Sequence, residues 1–378
     1  MDALPSIDRW DRLSGQRVLV RVDFNVPVAE LDGVARVVDD FRLRAALPLF
    51  ETLLARGAEV VVATHLGRPR GVVDEHFSVE PLRRALAALC PEVELMENLR
   101  FHPGEEADDP VFGALLVEGF QYYVNEAFGA SHRAHASIMI PPSLVPSAGG
   151  PNLHREVATI VSLLEEPQRP FVAVVGGAKA RDKLGLMRVL VEKADVVIVG
   201  GAMAHTFAVA EGRSVGESFF DSAYVEQCTA LLEGGNVLIP VDSRGLARGA
   251  AFGPLGGVDE ALDFPENIPE GFVGLDIGPS SIEVFASVIA GAATVLWNGP
   301  MGVFEDPRFG RGTEALARAI ASSSAVSVVG GGDSVAALTS YGLRDDVSFV
   351  STGGGASLEL VELGDLPGLR ALRESPWN

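Results

Sequence analysis

Residues 171–183 read FVAVVGGAKARDK: five apolar residues, two glycines, then a basic stretch with lysines at 179 and 183. An unbroken apolar run suits a strand buried on both faces of a parallel sheet. Gly176 and Gly177 let backbone N–H groups approach a phosphate closely, and a helix starting there adds a favourable dipole. The same order of strand, glycines and helix recurs at 196–199 with Gly200-Gly201, and at 326–329 with Gly330-Gly331-Gly332-Asp333-Ser334. One such turn is weak evidence. Three in one half of a chain indicate a binding surface at the carboxyl ends of strands in an open α/β sheet. Asp333 suits two roles there, capping the helix or binding Mg2+ that rides on phosphates, and the sequence leaves both open.

Outward from this stretch the alternation continues. Apolar runs at 17–28, 60–64, 237–241 and 294–297 are each followed by turn residues and helix-like segments, so both halves imply βαβ units and parallel sheets. With 378 residues the chain exceeds the roughly 250–300 that one core supports. The expectation is therefore α/β, two doubly wound parallel-sheet domains joined by a hinge helix. The proline-rich stretch Pro141 to Pro151 marks the joint, and the segment closed by Pro167 and Pro170 reads as the bridging helix. The expected domains are 1–152, a helix at 153–167, and 168–365. Ser280-Ser281-Ile282-Glu283 carries a capping-box pattern for a further helix.

Composition narrows the partners. A formal net charge of −21 disfavours nucleic acid and anionic membranes. No run approaches the ~18 apolar residues of a membrane span. The acidic start, residues 1–10, lacks the apolar region of a signal peptide, so a cytoplasmic protein is expected. Cys90 and Cys228 form no C-x-x-C and read as two buried thiols in a reducing compartment. Arginine outnumbers lysine 27 to 3, yet two of the three lysines are Lys179 and Lys183. Compact ammonium charges beside a glycine pair suit a crowded phosphate. If a helix starts near Gly177, the two share one face.

No G-x-x-x-x-G-K-[ST] and no G-x-G-x-x-G is present. A P-loop and a dinucleotide fingerprint are both missing. In the first half the strand ends carry Asp23, Asn25, Arg42, His65, Arg68, Arg100, His132 and Arg133, and five of seven histidines precede residue 136. Arginine forks and histidines at several strand ends suit a small, multiply anionic substrate.

Nine motifs together resemble one family: RVDFNVP (21–27), THLGRP (64–69), ENLRFH (97–102), AFGASHRAHAS (127–137), GGAKARDK (176–183), GLDIGP (274–279), WNGPMGVFE (297–305), GGGDSVA (330–336) and STGGGAS (351–357). In this order they look like the signatures of phosphoglycerate kinase. The resemblance implies two Rossmann-like domains, with the tail 366–378 folding back on the first. It implies reversible phosphoryl transfer from 1,3-bisphosphoglycerate to MgADP, giving 3-phosphoglycerate and MgATP, in a cytoplasmic monomer. Substrate contacts would fall on Asp23, Phe24, Asn25, Arg42, His65, Leu66, Gly67, Arg68, Arg100, His132 and Arg133. Nucleotide contacts would fall on Gly177, Lys179, Lys183, Gly201, Asn298, Pro300, Glu305, Gly330, Gly331, Gly332, Asp333 and Ser334. Glu305 would hold the ribose and Asp333 the nucleotide-bound Mg2+. Arg42 and Lys183 would clamp the phosphoryl group from opposite domains.

The chain departs from the family pattern at Glu126, where Asp is usual, at Ser280, where Lys is common, over 241–246, and at Gly149-Gly150-Pro151-Asn152, which replaces a bulkier apolar stretch. Two rivals differ in class. A nicotinamide-dependent oxidoreductase would need the missing fingerprint. A non-catalytic scaffold would have lost phosphate-contacting Arg or Lys, and none is lost.

Overall fold

The computed structural model describes residues 3–10 and 12–377. Within the expected amino-terminal stretch and tail, residues 1, 2, 11 and 378 lie outside the described residues. The chain divides into two compact units, residues 1–161 with 355–378, and residues 162–354.

The first unit is built on β1 (Arg17–Arg21), β4 (Glu59–Ala63), β5 (Glu94–Leu95), β6 (Tyr122–Asn125) and β7 (Ser147–Gly149), all parallel, in the order β5-β4-β1-β6-β7. A small antiparallel hairpin, β2 (Val28–Leu31) and β3 (Val34–Val37), stands beside it. Val18, Leu19 and Val20 are buried, as a central strand covered on both faces requires. Register decides what this sheet presents. Arg21 pairs with Ala63 on one side and Asn125 on the other, so three strands end level. The residues that follow, 22–25, 64–68 and 126–133, share one edge of the sheet. Chain order reverses between β1 and β6, the kind of switch point where open α/β sheets bind ligands.

The second unit has six parallel strands in the order β10 (Val237–Leu238), β9 (Val196–Val199), β8 (Phe171–Val175), β14 (Thr294–Asn298), β15 (Val326–Gly330) and β16 (Phe349–Val350). A three-stranded antiparallel sheet, β11 (Asp242–Ala247) flanked by β12 (Leu262–Pro265) and β13 (Phe272–Ile277), is joined to it by chain. Here Val175 pairs with Val199 and with Asn298, and Asn298 pairs with Gly330. Four strand ends again lie level, and each is followed by glycine: 176–177, 200–201, 299 and 331–332. The core beneath holds Val172, Val174, Phe285, Val295 and Trp297, with the Trp297 indole N–H donating to Gly299 O at 2.8 Å.

Several local expectations change. The run 17–28 is a strand only to Arg21; beyond it the Asp23 and Asn25 side chains accept from the Asn25 and Gly67 N–H groups, and the backbone leaves the sheet. The run 237–241 is a two-residue strand. The bridging helix spans Pro151–Glu165. Helix Gly355–Leu363 falls in the first unit, beside the 3-10 turn Phe128–Ala130, whereas 365 was the expected limit of the second. No capping box forms at 280–283: the helix starts at Pro279, and the Ser280 and Ser281 N–H groups donate instead to Asp242 of β11 at 2.9 and 2.8 Å. Both cysteines are free and buried. Among the described residues no helix is long and apolar enough to cross a membrane.

Candidate active site

At the level strand ends of the first unit, His65 Nε2 is 3.9 Å from Asp23 Oδ1, and an Arg42 guanidinium N–H sits 2.7 Å from Asp23 Oδ2. Arg42 reaches this edge from the first turn of the helix Phe41–Ala55 and not, as expected, from a strand end. Asn25 Oδ1 accepts from Gly67 N at 2.9 Å, and Arg100 donates to Gly67 O at 2.6 Å. Gly67 thereby ties two of the expected contacts into one turn. Its φ of +61° and an aromatic carbon of Phe77 only 2.3 Å from where a β-carbon would lie exclude any side chain. Arg133 donates to His132 Nε2 at 3.1 Å, so His132 carries its proton on the buried Nδ1. Burial pulls the Arg100 pKa down, and the Arg133 charge pushes the same way, which places these two side chains within electrostatic reach. Arg68 is exposed and makes no hydrogen bond or ion pair among the described residues. Phe24 and Leu66 are core residues and can offer only backbone.

Behind this surface lies a charged assembly that the sequence reading missed. Arg21 and Glu105 are both 0 % exposed and 3.6 Å apart. Arg21 also donates to Ser137 Oγ at 2.8 Å and meets His65 Nδ1 at 3.2 Å. A guanidinium can only donate. His65 Nδ1 is therefore the acceptor, and its proton sits on Nε2, toward Asp23. Burial lowers the His65 pKa well below the usual value, and the Arg21 and Arg100 charges reinforce this against Asp23 and Glu105. Alternation along β1 points an arginine into the sheet end, but nothing in the sequence pairs it with Glu105.

In the second unit, a cavity of about 230 Å³ opens at the level strand ends, lined by Gly177, Gly201, Pro300, Glu305 and Asp333 among others. Lys183 is half-buried and donates to Asn298 Oδ1. Desolvation lowers its pKa to about 8, against the opposing pull of Asp333 and Asp182. Asn298 Nδ2 is buried and has no hydrogen-bond partner among the described residues. Gly331 has φ +90°, and a β-carbon there would lie 2.9 Å from that same Nδ2. Gly332 opens the helix Gly332–Ser340, and Gly330 ends β15. Asp333 and Glu305 are exposed and accept no hydrogen bond among the described residues. The capping alternative for Asp333 thus finds no support. Ser334 is committed to the fold, its Oγ accepting from Gly299 N at 2.6 Å.

Lys179 and Lys183 do not share a helix face. Residues Ala180–Asp182 form a 3-10 turn with Lys179 before it, and the α-helix begins at Leu184 with Lys183 as its flanking residue. The glycine pair opens into an extended segment, Gly177 at φ +143° and Lys179 in β geometry, which delays the helix by about two turns. Lys179 is left exposed.

A family model described as phosphoglycerate kinase matches residues 7–95 and 90–363. The chain belongs to the phosphoglycerate kinase family. Phosphoglycerate kinase of Rubrobacter xylanophilus is 46% identical over 96% of each chain, and that of Moorella thermoacetica 43% identical over 96% of this chain and 97% of its own. Among solved structures, phosphoglycerate kinase from Coxiella burnetii superposes with a TM-score of 0.86 at 33% identity, covering 98% of this chain and 99% of that one. As a family member the chain transfers a phosphoryl group between 1,3-bisphosphoglycerate and ADP, a kinase reaction at a carboxyl group. The oxidoreductase and scaffold rivals fall with this assignment.

Proposed function

We propose that the two units divide the reactants of this phosphoglycerate kinase: the arginine and histidine cluster of the first binds the phosphoglycerate, and the glycine-rich strand ends of the second bind Mg2+ with ADP or ATP. The half-buried Lys183 ammonium, held by Asn298 and facing a free Asp333 carboxylate, carries this reading. A nucleotide phosphate oxygen would find there a cation, the orphaned Asn298 amide and the N–H groups of a helix start. Among the described residues no three His, Cys, Asp or Glu converge. Asp333 would accordingly meet the ion as a single carboxylate alongside phosphate oxygens. Glu305, free at the cavity edge, suits the ribose hydroxyls.

In the synthetic direction a terminal ADP oxygen attacks the acyl phosphate, the bond from phosphorus to the carboxyl oxygen breaks, and a carboxylate leaves. The migrating group is loosely bound and anionic, so rate comes from positioning and charge stabilisation. Lys183 would supply charge from the nucleotide side and Arg42, oriented by Asp23, from the phosphoglycerate side. We read the protein as cytoplasmic and monomeric, supported by its free thiols and acidic charge. Calorimetry tests the division. Arg68→Ala should weaken 3-phosphoglycerate binding and leave MgADP binding intact, and Asp333→Ala the converse; the opposite pattern would overturn it.

A further inference from the structure

The lining of the second unit's cavity is of two chemical kinds. Gly177, Gly201 and Asp333 supply one, and Ala208, Val215, Ile268 and Leu275 the other. The first suits phosphates. The second suits a flat heteroaromatic ring, apolar on its faces and polar at its edge.

Two residues with side-chain nitrogen line the cavity, Arg213 and His205. Arg213 is spent on the fold, donating to Pro240 O and to Glu266 O. His205, on the helix Met203–Ala210, is not. Its Nδ1 lies 3.2 Å from Phe219 O, and the ring makes no other hydrogen bond among the described residues. A backbone carbonyl only accepts, so the proton is on Nδ1 and Nε2 keeps a free lone pair. Nε2 lies 2.8 Å from where a β-carbon on Gly274 would stand, and Gly274 itself lines the cavity. The missing side chain at 274 is what leaves Nε2 open to the cavity. Desolvation holds the imidazole neutral down to about pH 4.

We infer that His205 is a specificity-determining residue that selects the nucleobase: its Nε2 accepts from an exocyclic amino group and opposes, lone pair to lone pair, a base with a carbonyl at that position. The inference rests on the proposed nucleotide site and narrows it to amino-bearing purines such as adenine. It gives His205 a task that neither the phosphate chemistry nor the core requires.

MgADP and MgIDP provide the probe, because they differ at purine position 6, amino against carbonyl. Calorimetry on the whole wild-type chain should show MgADP binding tighter by about tenfold or more, the scale of one made against one opposed hydrogen bond. His205→Phe keeps a flat ring and removes the acceptor, and His205→Leu removes both. Each should bring the two affinities within about threefold, chiefly by weakening MgADP. Loss of the Phe219 contact affects both nucleotides alike and cancels in the ratio. A wild-type ratio near one, or a ratio unchanged in both variants with MgADP still bound, overturns the role of His205 and leaves the nucleotide site standing. A wild-type chain that binds neither nucleotide overturns both.

Discussion

The Glu126 carboxylate fills the space that a side chain at residue 150 would need: a β-carbon on Gly150 would fall 2.2 Å from Glu126 Oε2. The two positions stood out separately in the sequence, one for a longer acid than usual and one for a missing bulky residue. In the fold they compensate. The longer acid reaches the Asn152 and Leu153 N–H groups at 3.0 and 3.2 Å and caps the helix Pro151–Glu165. Gly150→Ala should therefore cost about 2–3 kcal/mol, as overpacking of a tight site does. Combined with Glu126→Asp, which withdraws the carboxylate, the cost should fall short of the sum by about 1 kcal/mol or more. Equilibrium urea unfolding measures this coupling, and additivity of the two changes would sink it.

Lys183 should matter more to turnover than to binding. Lys183→Ala is expected to lower kcat by about two to three orders of magnitude, the scale of losing one preorganised charge-stabilising donor. Lys183→Arg should recover little, because the planar fork cannot hold the Asn298 contact with its charge at the same point. Steady-state kinetics with 3-phosphoglycerate and MgATP decides it, and near-normal kcat in the arginine variant would contradict the catalytic role.

The same lysine sets a pH limit. Desolvation leaves it charged below about pH 8 and neutral above. Since the free enzyme governs kcat/KM, that quantity for MgADP should decline as pH rises through about 8. Lys183→Arg stays charged and should lose the decline, although its rate is low throughout. A profile identical in both proteins would assign the limb to another group.

Glu105 makes stability depend on acid. Burial alone would raise its pKa, but His135 at 3.6 Å, Arg21 and the Ser137 donors bring it to about 2. A depressed carboxyl pKa contributes stability that is present above the unfolded value near 4.5 and lost as pH falls toward 2. The shift corresponds to roughly 3 kcal/mol. Glu105→Gln should flatten the acid limb of the stability curve. Arg21→Met, which leaves the acid buried without its guanidinium partner, should cost more, about 3–5 kcal/mol. Chemical denaturation between pH 3 and 7 separates the two effects.

What the sequence disclosed follows from physical range. Val-rich runs such as 171–175 and 196–199 coincide with strands because central parallel strands are apolar on both faces and end at glycine. The convergence of Asp23 and His65 was legible only as recurrence at strand ends, and level register at Arg21, Ala63 and Asn125, a property of the sheet, is what brings them together. Arg42 joins them from the helix Phe41–Ala55 and Arg100 stands on the 3-10 turn Leu99–Phe101, placements that recurrence at strand ends did not foresee. Capping misled at Ser280 because the acceptor, Asp242, lies 38 residues away. The antiparallel sheet of β11 to β13 went unread, since Asp242–Ala247 alternates too weakly to announce a strand. His205 gave no sign at all. A histidine in an apolar helix becomes informative only once Phe219 fixes its proton and Gly274 clears its path.

Unit boundaries carry a consequence for the order of assembly. The second unit is one continuous stretch, 162–354, whereas the first needs residues 355–378 as well. Ser375 Oγ donates to Pro142 O at 2.7 Å, and Gly368 N donates to Ser131 O at 2.9 Å. On a ribosome the half that emerges first is thus the half that must wait. The second unit has every residue it requires while the first still lacks two helices, Gly355–Leu363 and Pro367–Arg373. Synthesis of residues 355–378, after the whole of the second unit, times completion of the first unit.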